Sequence, residues 1–211
     1  MITRKTNKVF STLIIAASLS GQAYASDEIG TVSVQYAPVS SSGVTTGCSL
    51  IYTGTFLDII HKQGIPVALN GNISVNVFPE KKAVLLTYKL GLRDFTNKGL
   101  GDLYPPHFMF LKTSKHTTSK IKFVSYDSDI AGYRKYAVQL DKDALDVLED
   151  MLAEQKVFIG YNLSKGGTDA LVQLDLTVKD SNIVNGEMKR IHSNEAISQY
   201  ADCLGELTKQ L

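Results

Sequence analysis

The sequence contains only two cysteines, Cys48 and Cys203, among 211 residues. Neither belongs to the cluster of cysteines and histidines that a structural zinc site requires. Their separation also excludes the Cys-x-x-Cys arrangement of thiol–disulfide oxidoreductases. The chain therefore lacks the commonest cysteine-based metal and redox centres, and a single disulfide bond is the simplest interpretation of the two thiols.

The sequence also lacks an apolar run long enough to form a transmembrane helix, which needs about 20 apolar residues. The run from Val9 to about Leu19 is shorter. It follows the cations Arg4, Lys5 and Lys8 and precedes Ala23-Tyr24-Ala25, an arrangement typical of a bacterial secretory signal peptide. We therefore predict a signal peptide at 1–25, cleavage before Ser26, and a periplasmic or secreted protein that is not an integral membrane protein.

Recognisable catalytic motifs are absent as well. There is no Gly-x-Ser-x-Gly nucleophile turn, no phosphate-binding P-loop and no Gly-x-Gly-x-x-Gly fingerprint. The four histidines, His61, His107, His116 and His192, are scattered without metal-ligand spacing. We predict neither a cofactor nor a metal, and we favour a non-enzymatic protein without excluding an enzyme.

Two short patterns keep catalysis or ion binding open. Asp58 and His61 would form a general-base pair if their segment were helical, but in a strand they would point to opposite faces. Asp127 and Asp129 could bind a hard cation, although a turn explains the same spacing. We favour the structural interpretation of both patterns.

The charge balance gives no reason to expect nucleic-acid binding. Loss of Arg4, Lys5 and Lys8 with the signal peptide lowers the Lys plus Arg count from 22 to 19, against 21 Asp plus Glu. The net charge then changes from +1 to −2. Nucleic-acid-binding domains usually carry a clear positive excess.

The exported compartment is oxidising, so pairing of Cys48 with Cys203 is expected. Two buried free thiols or an intermolecular bond are the alternatives. We predict that the bond ties a C-terminal helix to an early strand.

Most of the mature chain is predicted to form strands, because apolar residues alternate or form short dense runs. The predicted strands lie near 31–36, 72–78, 83–90, 107–112, 120–126, 133–140, 156–163 and 170–178. Turns are expected at Asn70-Gly71, at 104–106, at 127–129 and at 165–168.

Two helices interrupt this pattern. The first, within 140–155, has Asp141 as its expected N-cap and an apolar stripe of Ala144, Leu145, Leu148, Met151 and Leu152. The second, within 193–211, has Ser193 as its expected N-cap and a stripe of Ile197, Tyr200, Ala201, Leu204 and Leu207. We predict one α+β domain over 26–211, with a mainly antiparallel, sandwich-like sheet and two packed helices, the C-terminal one held by the disulfide.

Two segments are candidate interaction surfaces. The stretch 93–106 is the longest predicted loop. The segment 112–122 is the most basic, and its cations could meet an acidic partner; they are Lys112, Lys115, His116, Lys120 and Lys122. Tyr126, Tyr133, Tyr136 and Tyr161 could line a binding surface or belong to the core.

These features favour an exported, non-enzymatic protein that binds another macromolecule, such as an accessory factor of envelope assembly or secretion, or an inhibitor. The expected partner is a protein of the cell envelope. The alternatives are an envelope hydrolase that acts on glycan or peptidoglycan, and a carrier of a small ligand. The sequence does not specify an oligomeric state.

Overall fold

The computed structural model describes residues 30–119, 123–185 and 187–209. The predicted signal peptide lies outside these ranges. The strands are β1 (Thr31–Ser41), β2 (Val44–Asp58), β3 (Ile65–Phe78), β4 (Ala83–Thr96), β5 (Gly99–Leu100), β6 (Phe108–Lys112), β7 (Phe123–Asp127), β8 (Arg134–Gln139), β9 (Lys156–Asn162), β10 (Ala170–Asp175), β11 (Val178–Val184) and β12 (Glu187–His192). The helices are α1 (Lys142–Glu154) and α2 (Glu195–Thr208), and a short 3-10 helix covers Pro79–Lys81.

Antiparallel pairing organises the strands into two sheets and a hairpin. The large sheet has the order β1-β2-β3-β4-β8-β7, and β5 pairs with the end of β4. The small sheet has the order β10-β9-β6, and β11 pairs with β12. This confirms the predicted fold class, a mainly antiparallel α+β protein with two helices.

The hydrophobic core lies on one face of the large sheet, which we call its inner face. Alternate residues of β3, such as Ile73, Val75 and Val77, are buried there, as their period-2 spacing predicts. A single core cluster joins these side chains to residues of the small sheet and both helices. The opposite face of the large sheet, its outer face, therefore remains available for function.

The predicted turn at Asn70-Gly71 is wrong, because both residues lie inside β3. Gly71 is required there for space. A Cβ atom at this position would lie 2.0 Å from the Lys89 carbonyl oxygen and 2.6 Å from the Tyr52 hydroxyl oxygen. The small residue lets the buried Tyr52 donate a hydrogen bond to that carbonyl, at 3.2 Å.

The helices follow the predicted pattern with local differences. Asp141 caps α1 by accepting a hydrogen bond from the Ala144 amide at 3.1 Å, as predicted. Leu145 is 41% exposed, and Val147 takes its place in the buried stripe. In α2 the N-cap is Asn194 rather than Ser193. Ala201 of the predicted α2 stripe is exposed.

The predicted disulfide bond is present between Cys48 and Cys203, whose Cα atoms are 6.0 Å apart. Cys48 is fully buried in β2, and Cys203 lies on the buried side of α2. The bond ties the C-terminal helix to the second strand, which confirms the predicted connection.

Candidate functional site

A groove crosses the outer face of the large sheet and encloses about 480 Å³. Small residues of β2, β3 and β4 form its floor: Thr53, Thr55, Ala68, Asn70 and Gly91. The apolar residues Phe95, Leu100, Leu103 and Tyr133 form one wall, and Arg93 lines the groove beside them. We call this feature the outer-face groove.

The opposite end of the groove is formed by Val32 of β1. Simple alternation places Val32 on the same face as Val34. A register irregularity between Thr31 and Ser33 interrupts this alternation, so that Val34 enters the core while Val32 lines the groove. Such β-bulges redirect side chains at sheet edges.

The wall of the groove is held in place by β4 and the segment that follows it. Leu92 and Tyr104 exchange two backbone hydrogen bonds of 2.9 Å each. The Tyr104 hydroxyl donates to Asp94 Oδ1 at 2.5 Å, and Lys62 Nζ donates to Asp94 Oδ2 at 2.8 Å. These bonds fold the chain back along β4 and present Leu100 and Leu103 to the groove.

Asp94 is held ionised by these two neighbours. Burial opposes its ionisation, but the hydrogen bonds from Lys62 and Tyr104 and the charge of Lys62 outweigh that effect and lower the pKa of the Asp94 carboxyl. Asp94 and Lys62 therefore neutralise each other behind the wall. The charge of Arg93, the preceding residue, is not offset by this carboxylate.

Arg93 is exposed, and no hydrogen bond or ion pair joins its guanidinium to any residue that the structure describes. Lys89 lies on the same face of β4, and its Nζ is 4.9 Å from the centre of the Tyr133 ring. Burial and the charge of Lys135 lower the pKa of Lys89, although the charge of Asp129 opposes this effect. The groove therefore has a positive side beside its apolar wall.

Beside the groove, one part of the outer face is polar and internally hydrogen-bonded. Ser74 and Ser49 are joined at 2.8 Å, Asn72 donates to Ser49 at 3.3 Å, and Asn76 donates to Thr87 at 2.8 Å. These side chains already have partners, so they form a passive polar rim. The apolar wall and Arg93, in contrast, offer unused contacts within the groove.

The described part of the basic segment, residues 112–119, contacts helix α1. Thr113 donates to Asp150 Oδ2 at 2.9 Å, and His116 Nδ1 lies 2.7 Å from the same oxygen. Lys115 Nζ is 3.5 Å from Asp150 Oδ1, and Ser114 contacts Glu154. Lys115 and His116 thus face the acidic side of α1.

The spacing of Asp146, Asp150 and Glu154, one helical turn apart, is the sequence signal that could have predicted this contact. Lys112 makes contacts within the protein. Lys120 and Lys122 lie outside the described residues. Use of this segment as an interaction surface remains a prediction.

Asp58 is the last residue of β2, and His61 lies in the turn that follows it. The buried Asp58 carboxylate accepts hydrogen bonds from the Ile60 and His61 amides, at 3.1 and 2.7 Å, and from the Tyr161 hydroxyl at 2.6 Å. The His61 ring instead packs edge-on against Tyr161, with 5.4 Å between ring centres. Asp58 therefore holds the turn and does not orient the imidazole of His61.

Asp127 and Asp129 are both paired with cations. Arg134 contacts Asp127 at 3.3 Å, and Lys135 donates to Asp129 at 2.8 Å. Within residues 30–119, 123–185 and 187–209, no group of three or more acidic, histidine or cysteine side chains is arranged to hold a metal ion.

A second cavity of about 460 Å³ lies between β1, β11 and the start of α2. Asp180 and Glu195 line it, but Lys179 donates to Glu195 at 2.8 Å. This hydrogen bond and the Lys179 charge lower the pKa of Glu195. A carboxyl group whose pKa is lowered is less suited to act as a general acid near neutral pH.

The four tyrosines singled out in the sequence divide between core and surface. Tyr136 and Tyr161 are fully buried, whereas Tyr126 is exposed and Tyr133 forms part of the groove wall. The outer-face groove also includes Arg93, Phe95, Leu100 and Leu103 from the 93–106 segment. The residues of β2 and β3 that complete it were not predicted.

Comparison of the chain with protein-family models, with curated proteins and with solved structures gives no match. In the described part of the chain, no helix has both the length and the apolar character needed to cross a membrane. Function must therefore be argued from the groove and the disulfide alone.

Proposed function

We propose that this is an exported, non-enzymatic protein that binds another protein of the cell envelope through the outer-face groove. The observation that supports it best is the combination of an apolar wall with the unpartnered Arg93 in one concave site. Protein interfaces typically centre on apolar and aromatic side chains and favour arginine. The polar rim around the groove fits the same pattern.

The shape of the groove favours a binding protein over a small-ligand carrier. Phe95 and Leu100, in its wall, are 41% and 52% exposed. The groove is therefore open to solvent, whereas ligand-binding pockets usually bury most of a small ligand. An envelope hydrolase is less favoured because Asp94, Asp127, Asp129 and Glu195 are paired with cations and Asp58 is buried at a turn.

The disulfide bond is consistent with an extracytoplasmic location, because such bonds persist in oxidising compartments. Together with the predicted signal peptide, it supports our proposal that the protein acts in the periplasm or after secretion. An accessory role in envelope assembly or secretion, or inhibition of another exported protein, would suit such a location.

The proposal is tested by capture of partners in the envelope fraction of the source cells. The exported protein, expressed from the full chain, would be compared with Thr55→Arg, which places a long side chain on the groove floor. The matched control is Gln139→Arg, which adds the same charge on an exposed site of β8. We expect one protein to be captured by wild type and by Gln139→Arg but lost with Thr55→Arg, and to bind again after purification.

Equal capture by Thr55→Arg would show that the partner does not use the groove. Turnover of peptidoglycan or glycan by the wild type, with no captured protein, would favour the hydrolase instead.

A further inference from the structure

We infer that the occupant of the outer-face groove is an extended peptide segment that carries a carboxylate beside an apolar side chain. This inference rests on the proposed function and specifies the chemistry of the partner. Three features of the groove support it: its charges, its apolar wall and its length.

Charge is the first argument, because no described carboxylate pairs with Arg93, whereas the nearby Lys62 is paired with Asp94. Arg134 is paired with Asp127, and Lys135 with Asp129. An incoming carboxylate is the natural complement of the Arg93 guanidinium, since the two groups form paired, charge-assisted hydrogen bonds. Lys89, on the same face, adds to the positive potential.

The wall provides the second argument. Leu100 and Leu103 offer aliphatic surface, and Phe95 extends it. Aliphatic surface suits an apolar amino-acid side chain, whose burial contributes about 25 cal/mol for each Å² removed from water. The proximity of Arg93 to this wall places the two preferred side chains next to each other along the segment.

The length of the groove gives the third argument. Its lining runs from Val32 in β1 through Thr53 and Ala68 to Arg93 in β4, across four neighbouring strands. Strands lie about 4.8 Å apart, so the groove is about 14 Å long. An extended chain advances about 3.3 Å per residue, which matches a segment of about four residues.

The test uses three synthetic peptides and the ¹⁵N-labelled exported protein. The probes are acetyl-Leu-Glu-Leu-Gly-amide, the same peptide with glutamine in place of glutamate, and acetyl-Gly-Glu-Gly-Gly-amide, which lacks the apolar side chains. Binding is followed by NMR shifts of the Ala68, Asn70 and Gly91 amides. We expect the first peptide to shift these amides and to bind at least fivefold more tightly than either of the others.

Two arginine variants then distinguish an effect of the charge at residue 93 from an effect of the net charge of the protein. Arg93→Gln should abolish the preference for glutamate over glutamine. Arg134→Gln removes the same charge from a paired arginine and should leave that preference intact. Both variants must show wild-type amide spectra away from the substituted residue.

The inference is overturned if the two leucine-containing peptides bind equally, if Arg93→Gln keeps the glutamate preference, or if no peptide shifts the groove amides. It is also overturned if glucuronic acid, used as a fourth probe, shifts these amides and the peptides do not, since the groove would then bind acidic glycans. A partner captured through the groove but without glutamate preference would leave the proposed function standing.

Discussion

Gly91 lies beneath the ring of Tyr133, so closely that a Cβ atom at residue 91 would be 2.9 Å from two ring carbons. The Tyr133 hydroxyl donates to Asn70 Oδ1 at 2.7 Å, which fixes the ring from its other end. A residue of β4 without a side chain therefore sets the position of one wall of the groove. The ammonium group of Lys89 lies over the same Tyr133 ring.

This packing predicts that Gly91→Ala destabilises the protein, because the added methyl group also meets Leu103 at 3.0 Å. Overpacking of this kind costs about 1–3 kcal/mol. The matched control is Gly205→Ala in α2, where nothing lies within 4 Å of the new Cβ atom; a gain of up to about 1 kcal/mol is expected there. Urea unfolding measures the free energy of unfolding of both variants. Equal changes in that free energy would contradict the proposed packing.

Gly205 also illustrates what the sequence could not reveal. Glycine inside a helix costs stability relative to alanine and can mark close packing, but the space around Gly205 is open. Asn70-Gly71 is a strong turn signal in the sequence. In the structure the glycine is needed because the Tyr52 side chain passes residue 71 to reach the Lys89 carbonyl. The reason lies in a neighbouring strand, so no local pattern could show it.

The strands that were predicted are those whose apolar residues alternate without interruption, such as β3 after Gly71. The strand β2 was not predicted, because Gly47, Gly54 and several threonines break its apolar pattern. The hairpin of β11 and β12 was missed because its strands are largely exposed and polar. The sequence nevertheless contains a hairpin signal at this point, Asn185-Gly186 between two runs of alternating residues.

The candidate site was less predictable than the fold. The sequence pointed only to the part contributed by the 93–106 segment, because long loops often carry function, and to Tyr133 as one of four tyrosines that could line a binding surface. The floor depends on the register of β2, β3 and β4, which aligns Thr53 with Asn70 and Asn70 with Gly91. Such alignment requires the strand pairing and cannot be read from one sequence.

The disulfide bond should contribute much of the stability. It closes a loop whose ends are 155 residues apart, and the loss of chain entropy in the unfolded state corresponds to at most about 5 kcal/mol. We expect the double variant Cys48→Ala, Cys203→Ala to lose several kcal/mol of unfolding free energy in urea. Wild type treated with dithiothreitol serves as the control and should lose a similar amount. A loss below about 1 kcal/mol in both would contradict this role.

Buried tyrosines predict unfolding at high pH. Burial raises the pKa of Tyr88 to about 12. It also raises, and by more, the pKa values of Tyr52, Tyr136, Tyr161 and Tyr200. In the unfolded chain these groups ionise near pH 10.

Because the folded-state pKa values are raised, the stabilisation is fully present below about pH 10 and is lost as the pH rises toward the folded values. Each buried tyrosine contributes a slope of up to about 1.4 kcal/mol per pH unit. We expect urea midpoints to fall steeply above pH 10 and tyrosinate absorbance to rise together with unfolding. Ionisation of all tyrosines before the protein unfolds would contradict their burial.

The predicted signal peptide gives a simple expectation for the exported protein. Cleavage after Ala23-Tyr24-Ala25 should leave Ser26 as the first residue. Mass spectrometry of the protein recovered outside the cytoplasm measures the N-terminus directly. As a control, Ala25→Pro should block cleavage and leave the precursor, while an intact Met1 on the exported wild type would refute the prediction.

Site-specific photo-crosslinking in the source cells shows whether a protein partner occupies the outer-face groove. A photoreactive amino acid replaces Ala68 on the groove floor or, as the control, Gln139 on the same face outside the groove. We expect one discrete crosslinked protein from residue 68 that is absent from residue 139 and is lost when Arg93→Gln is added. Equal crosslinking from both positions, or none from residue 68 in a correctly folded and exported protein, would contradict this expectation.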